Sequence, residues 1–185
     1  MATVPFPWPS PQIIDALVSK SSGYFIYAST VIKFIDDKNF RPSNRLEIIV
    51  GIKEPDFGSP FAGLDQLYTQ ILYQIHDRPR LFRILTAQFR LRLSSVTHIE
   101  QFLEMEPGDV GLVLRALHSV IDLHDCQWIG FHHASFPDYL QDFTRAGEFY
   151  VGTDQHLTDL CRHILKAFSY KREELSLNQR SHVAW

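Results

Sequence analysis

Cysteine is scarce: Cys126 and Cys161 are the only two in 185 residues. That excludes a disulfide framework and fits reduced thiols, so a cytoplasmic location is expected. Long apolar runs are also missing. The richest stretch, Tyr24 to Ile35, is interrupted by Lys33 and falls well short of the ~20 residues that cross a bilayer, so no membrane partner is expected. The segment MATVPFPWPSPQ has neither a basic start nor an apolar stretch before its prolines, and it reads as neither secretory signal nor transit peptide. An excess of one charge is absent as well. With 18 Lys and Arg against 21 Asp and Glu, the formal charge is −3, which removes the global attraction that nucleic acids or anionic lipids would exploit. Internal repeats and low-complexity tracts are absent too.

What is present is apolar content of 45%, enough to bury a real core in one domain or two small ones. Pro5, Pro7, Pro9 and Pro11 make an extended lead-in, after which Ser10 is placed to cap a helix running to about Ser19. A second helix is expected from about Tyr24 to Asp37, mostly buried, with Phe25, Ile26, Ala28, Ile32 and Ile35 on its apolar face. A third begins near Ser43, carries Leu46, Ile48, Ile49 and Val50, and stops at Gly51. Pro55, Gly58, Pro60 and Gly63 then mark a linker without apolar period.

Beyond the linker, Leu64, Leu67, Ile71, Leu72 and Ile75 recur at helical spacing, and a second series follows Pro79 through Leu81, Ile84, Leu85 and Phe89. Thr97 is placed to cap a short helix with Ile99, Phe102 and Leu103, and Pro107-Gly108 ends it before Asp109 caps the next. Residues 120 to 133, VIDLHDCQWIGFHH, read as a hairpin turning at His124, Asp125 and Cys126. Helix, helix, helix, hairpin is the order of a winged helix. A further helix is expected from about Thr153 to Phe168, and the polar tail from Lys171 is expected to be mobile.

Several chemistries are excluded or disfavoured by what the residues lack. A P-loop needs glycines that aim amides at phosphate, a lysine, and a hydroxyl for magnesium, yet no G-x-x-x-x-G-K-[ST] occurs. No apolar strand ends in paired acids either, so no nucleotide hydrolysis is expected and the chain is not read as an enzyme. His133, Ser135 and Asp138 are the residue types of a hydrolase triad, but no G-x-S-x-G elbow surrounds Ser135. His124, Cys126, His132 and His133 are zinc-ligand types on a hairpin, but His132 and His133 are adjacent and point to opposite faces. A winged helix invites a DNA-binding reading. The helix from Asp109 offers only Arg115 to a groove, however, and Arg78, Arg80, Arg83, Arg90 and Arg92 suit a solvated face or ion pairs better.

Four segments resemble consecutive pieces of fungal NACHT-domain proteins, NLR-like members of the STAND class, in which an NTPase core is followed by a helical domain and a winged helix. SSGYFIYASTVIKFIDD (21 to 37) resembles the helical-domain motif, and LDQLYTQIL (64 to 72) the beginning of the winged helix. EPGDVGLVLRALHSVIDL (106 to 123) and HASFPDYLQDFTRAGEFYV (133 to 151) resemble its later helix and its histidine-bearing stretch. The resemblance implies that His133, rather than His132, reaches the phosphates of bound ADP and holds the protein closed. An imidazole can donate to phosphate and gains charge when protonated, which suits a release switch. The competing reading is that His133 caps the following helix or bonds a backbone carbonyl. Gly23 and Phe25 match a glycine-x-proline motif whose proline lies near the adenine. Phenylalanine at position 25 departs from it, and Phe25 is therefore expected to pack in the core in preference to contacting nucleotide.

The expected fold is therefore mainly α: a small helical domain followed by a winged-helix domain with a short β-hairpin. The boundaries are an extended segment 1–9, a helical domain 10–53, a linker 54–63, a winged-helix domain 64–150, the start of a further helical region 151–170, and a polar tail 171–185. The resemblance implies a non-catalytic regulatory fragment of a NACHT-type signalling NTPase that latches the nucleotide-bound closed state. Its partner would be the NTPase core, through protein–protein contacts, with ADP or ATP held by that core, no cofactor on this chain and no metal. A winged-helix DNA-binding protein is the alternative.

Overall fold

The structure, a computed structural model, describes residues 8–21, 24–52, 61–125 and 127–181, with side chains through 169. Among these residues the chain is mainly helical, with ten α-helices and one two-stranded antiparallel sheet. Three helices come first: α1 (Pro11–Ser21), α2 (Phe25–Ile35) and α3 (Pro42–Val50). Pro11 and Pro42 stand at the first helical position, where a missing N–H costs nothing. The expected linker lies largely outside the described residues, which resume at Phe61.

Four helices and the hairpin follow. These are α4 (Ala62–Tyr73), α5 (Arg78–Leu91), α6 (Val96–Leu103), α7 (Asp109–Leu114) and strands β1 (Ile121–His124) and β2 (Trp128–Phe131). The strands pair in the register Ile121↔Phe131 to His124↔Trp128, and Ser95 adds a bridge to Trp128. Two backbone bonds, Val96 N–H to Gln127 O and Ile129 N–H to Ser94 O, each 2.8 Å, sew the start of α6 to β2. Short helices α8 (Ser135–Leu140) and α9 (Phe143–Ala146) lead into the long α10 (Asp154–Ser181), which packs on α5 and α6.

One buried apolar cluster runs continuously from Tyr27, Val31, Phe34 and Ile49 of the first three helices to Phe149 and Val151 beyond α9. It includes the Leu64, Leu67, Ile71, Leu72 face of α4 and Leu81, Ile84 and Leu85 of α5. Each such side chain contributes roughly 1.5–3 kcal/mol on full burial.

Several local expectations are corrected. The buried face of α2 is Tyr27, Thr30, Val31 and Phe34, while Ile32 is 66% exposed. Ile26 and Ile35 of the expected face do pack partly against the core, so the expectation fails at Phe25 and Ile32. Ser95, not Thr97, caps α6, accepting the His98 N–H at 3.4 Å. The α7 start is served by Glu100, whose Oε1 accepts the N–H groups of Gly108 (2.8 Å) and Val110 (3.3 Å), so Asp109 lies inside the helix instead of capping it. Gly108 sits at φ 96°, a left-handed conformation in which the absence of a Cβ is an advantage. The stretch expected to be a mobile tail from Lys171 is helical through Ser181, because from Asp154 onward it holds no glycine or proline and is rich in helix formers.

Candidate functional site

The resemblance singles out the segment joining β2 to α8, and its geometry is set from α4. Leu64, Leu67, Tyr68 and Ile71 form the buried stripe of α4, which fixes Tyr68 in the interior at 1% exposure. Its ring meets Phe136 edge-on at 5.0 Å and Tyr139 at 5.5 Å, so α8 is docked on α4 through three aromatic rings. The Tyr68 hydroxyl emerges from this packing 2.7 Å from Ser135 Oγ, at the start of α8.

His133 stands exposed just before that helix. Its Nδ1 lies 3.1 Å from the backbone nitrogen of Ser135 and 2.8 Å from Ser135 Oγ. A backbone N–H can only donate, so Nδ1 accepts and carries no proton. The Ser135 hydroxyl then donates to Nδ1 as well, and Tyr68 donates to Ser135. The neutral ring holds its proton on Nε2, the opposite edge, which has no partner among the described residues. His133 thus accepts the first N–H of α8 from one residue before the N-cap, Ala134, and this contact uses one nitrogen only.

The surroundings of Tyr68 are similarly ordered. Thr69 Oγ1 donates to Asp65 O at 2.9 Å and receives the Tyr139 hydroxyl at 2.8 Å. Burial pushes the Tyr139 phenol up to about 12 and raises that of Tyr68 too, so both stay protonated donors across neutral pH. Arg145 clamps Asp65 with two bonds of 2.7 and 3.0 Å, tying α9 to α4, and its guanidinium lies 5.5 Å from the ring of Phe61. Phe61 in turn contacts Tyr24 at 5.9 Å. A chain of ring and charge contacts thus connects the start of α2 with the histidine.

Phe25, next to Tyr24, is 85% exposed. The core-packing expectation for it is therefore corrected: the side chain is offered outward. Gly23 and Cys126 lie outside the described residues.

The other candidate sets do not assemble. His133 and Ser135 do hydrogen-bond, but through the nitrogen that also accepts the first N–H of α8, and among the described residues no hydrogen bond or ion pair joins Asp138 to the ring. His132 is turned away, its Nε2 bonded to His118 O at 3.0 Å, and His124 stands over Gly130 with Nδ1 3.3 Å from Asp122. Among the described residues no three His, Cys, Asp or Glu side chains converge as metal ligands. At the recognition-helix position α7 has six residues and presents Leu112, 62% exposed, beside Arg115. Of the arginine run, Arg78 pairs with Glu148 and Arg80 with Asp77 and Asp109.

Tyr68, Thr69 and Tyr139 went unnoticed as site residues, because aromatic and hydroxyl side chains at helical spacing read as core. Tyr68 does lie within the LDQLYTQIL segment. No helix among the described residues is long and apolar enough to cross a membrane. No family model, curated protein or solved structure matches the chain.

Proposed function

We propose that this chain is the non-catalytic helical and winged-helix part of a NACHT-type signalling NTPase, and that it latches the closed, ADP-bound state of a separate NTPase core. The observation that carries the reading is the posture of His133. One ring nitrogen is consumed in fixing the imidazole to α8, and the opposite edge is left as an outward hydrogen-bond donor without a partner among the described residues. A donor held rigidly on a protein surface is what a phosphate contact from a neighbouring domain requires, since ordering it costs nothing at binding. The outward Phe25 supports the same reading. An apolar ring that exposed gains by contact with another surface, and its position matches the segment that lies near adenine in the family.

A latch works through differential contact: it stabilises one state only if its contacts to nucleotide and core differ between states. His133 meets this requirement if its phosphate partner is in reach only when the domains are closed. The test joins this chain to an NTPase core and follows ADP release after His133→Ala. A hydrogen bond to a charged group contributes roughly 1.5–3 kcal/mol, so release about tenfold faster or more is expected. Unchanged release removes the latch role.

A further inference from the structure

The proposed latch leaves open what makes His133 present a donor to its ligand instead of a lone pair. An imidazole that rotated, or moved its proton to Nδ1, would offer an acceptor and repel phosphate. We propose that Tyr68 and Ser135 are positioning residues that lock His133 in its Nε2-protonated tautomer, by a one-way hydrogen-bond chain running from Tyr68 O–H to Ser135 Oγ–H to His133 Nδ1. The significance of the lock rests on the latch reading, but its existence does not.

The direction of the chain follows from the geometry. At 3.1 Å the Ser135 backbone N–H faces Nδ1 and cannot reverse its role. With Nδ1 thus an acceptor, the hydroxyl of Ser135, 2.8 Å away, contributes its hydrogen there. Its oxygen is then an acceptor toward Tyr68 at 2.7 Å, and the buried phenol supplies the hydrogen. Burial raises the phenol above its ordinary range, so Tyr68 does not lose that proton near neutral pH. The phenol is itself immobile. Its ring is wedged against Phe136 and Tyr139, and Phe136 is 1% exposed on the helix whose first N–H the histidine accepts. Packing at the α4–α8 contact is thereby converted into the protonation pattern of a surface imidazole.

Without the Tyr68 hydroxyl, the Ser135 hydroxyl can turn its hydrogen elsewhere and accept from Nδ1–H. The lock then rests on one backbone N–H alone. Tyr68→Phe keeps the ring, so the packing persists while the first donor is lost.

The experiment is nitrogen-15 NMR of the histidine side chains in the full 185-residue chain, without nucleotide, at a pH where His133 is neutral. The expected result is a single Nε2-protonated form of His133 in the native chain and a detectable Nδ1-protonated fraction in Tyr68→Phe, where the backbone N–H alone still opposes it, with backbone amide spectra showing the fold intact. Ser135→Ala, which removes the middle hydroxyl, is expected to give the same fraction if Tyr68 acts through it. A native His133 protonated on Nδ1, or a tautomer ratio unchanged in both variants, overturns the lock. Since no nucleotide is present, this outcome is independent of the ADP-release test. A locked tautomer together with unchanged ADP release after His133→Ala would sink the latch and not the lock.

Discussion

The guanidinium of Arg45 lies 2.9 Å from the carboxylate of Asp37, and both side chains are sealed from solvent. Arg45 projects from α3 between the rings of Phe34 and Phe40, 4.1 and 4.0 Å from their centroids. Burial pulls the guanidinium below its ordinary range, while Asp37 works in the opposite direction. His118, from the turn after α7, stands 3.6 Å from the same carboxylate and bonds Lys33 O at 2.8 Å. Asp37 is thus the point where α2, α3 and the turn after α7 meet.

Asp37→Ala should destabilise the chain by about 3–5 kcal/mol, because it leaves the Arg45 charge buried and unpaired. Urea denaturation measures this. A loss below about 1 kcal/mol would mean that the two ring contacts alone can hold the guanidinium.

Acidification should loosen α10 before the rest of the fold. His156 stacks on Phe82 of α5 at 4.5 Å and its Nδ1 is buried without a partner among the described residues, while His163 faces Phe102 of α6. Burial pushes both imidazoles below the ordinary histidine range. Asp159 opposes this at His156, and Arg83 and Lys166 reinforce it at His163 against Glu104 and Asp159. For a base whose folded-state value is depressed, the stabilisation is complete above the unfolded value of ~6.5 and is lost as pH falls through the lower folded one. Hydrogen exchange should therefore show α10 amides losing protection as the pH falls below about 6.5, ahead of those in α4 and α5, and His156→Gln should flatten that dependence. Uniform loss across all helices would contradict the assignment.

The purified chain should show no ATP or GTP hydrolysis above a buffer blank, since no glycine-rich phosphate loop with its lysine is encoded in its 185 residues. Turnover that copurifies through several independent separations would refute this.

How far these features are legible in the sequence depends on the distance over which each is decided. The order of helices and the hairpin could be read from spacing, since the Leu64 to Ile75 series and the VIDL and WIGF runs carry their own periods. The buried face of α2 was misread because Phe25 and Ile32 are as apolar as Val31 and Phe34. Only a partner surface distinguishes them, and α2 packs against α1, α3 and α4. The His133 arrangement was half legible. Its residue types and the contact of Nδ1 with the Ser135 N–H follow from local order, but the Tyr68 hydroxyl that meets Ser135 lies 67 positions away, and that contact exists only after α8 docks on α4. Arg45 in the interior went unread for the same reason, since its carboxylate and both rings come from α2 and the segment after it.

The most direct measurement of the latch is the affinity of this chain, supplied in trans, for a NACHT-type NTPase core loaded with ADP, compared with the same core loaded with a non-hydrolysable ATP analogue. A coupling of about 1–3 kcal/mol between nucleotide and latch predicts binding tighter to the ADP form by about fivefold to a hundredfold, with the difference abolished by His133→Ala. Equal affinity for the two forms, or a preference untouched by that substitution, would contradict it.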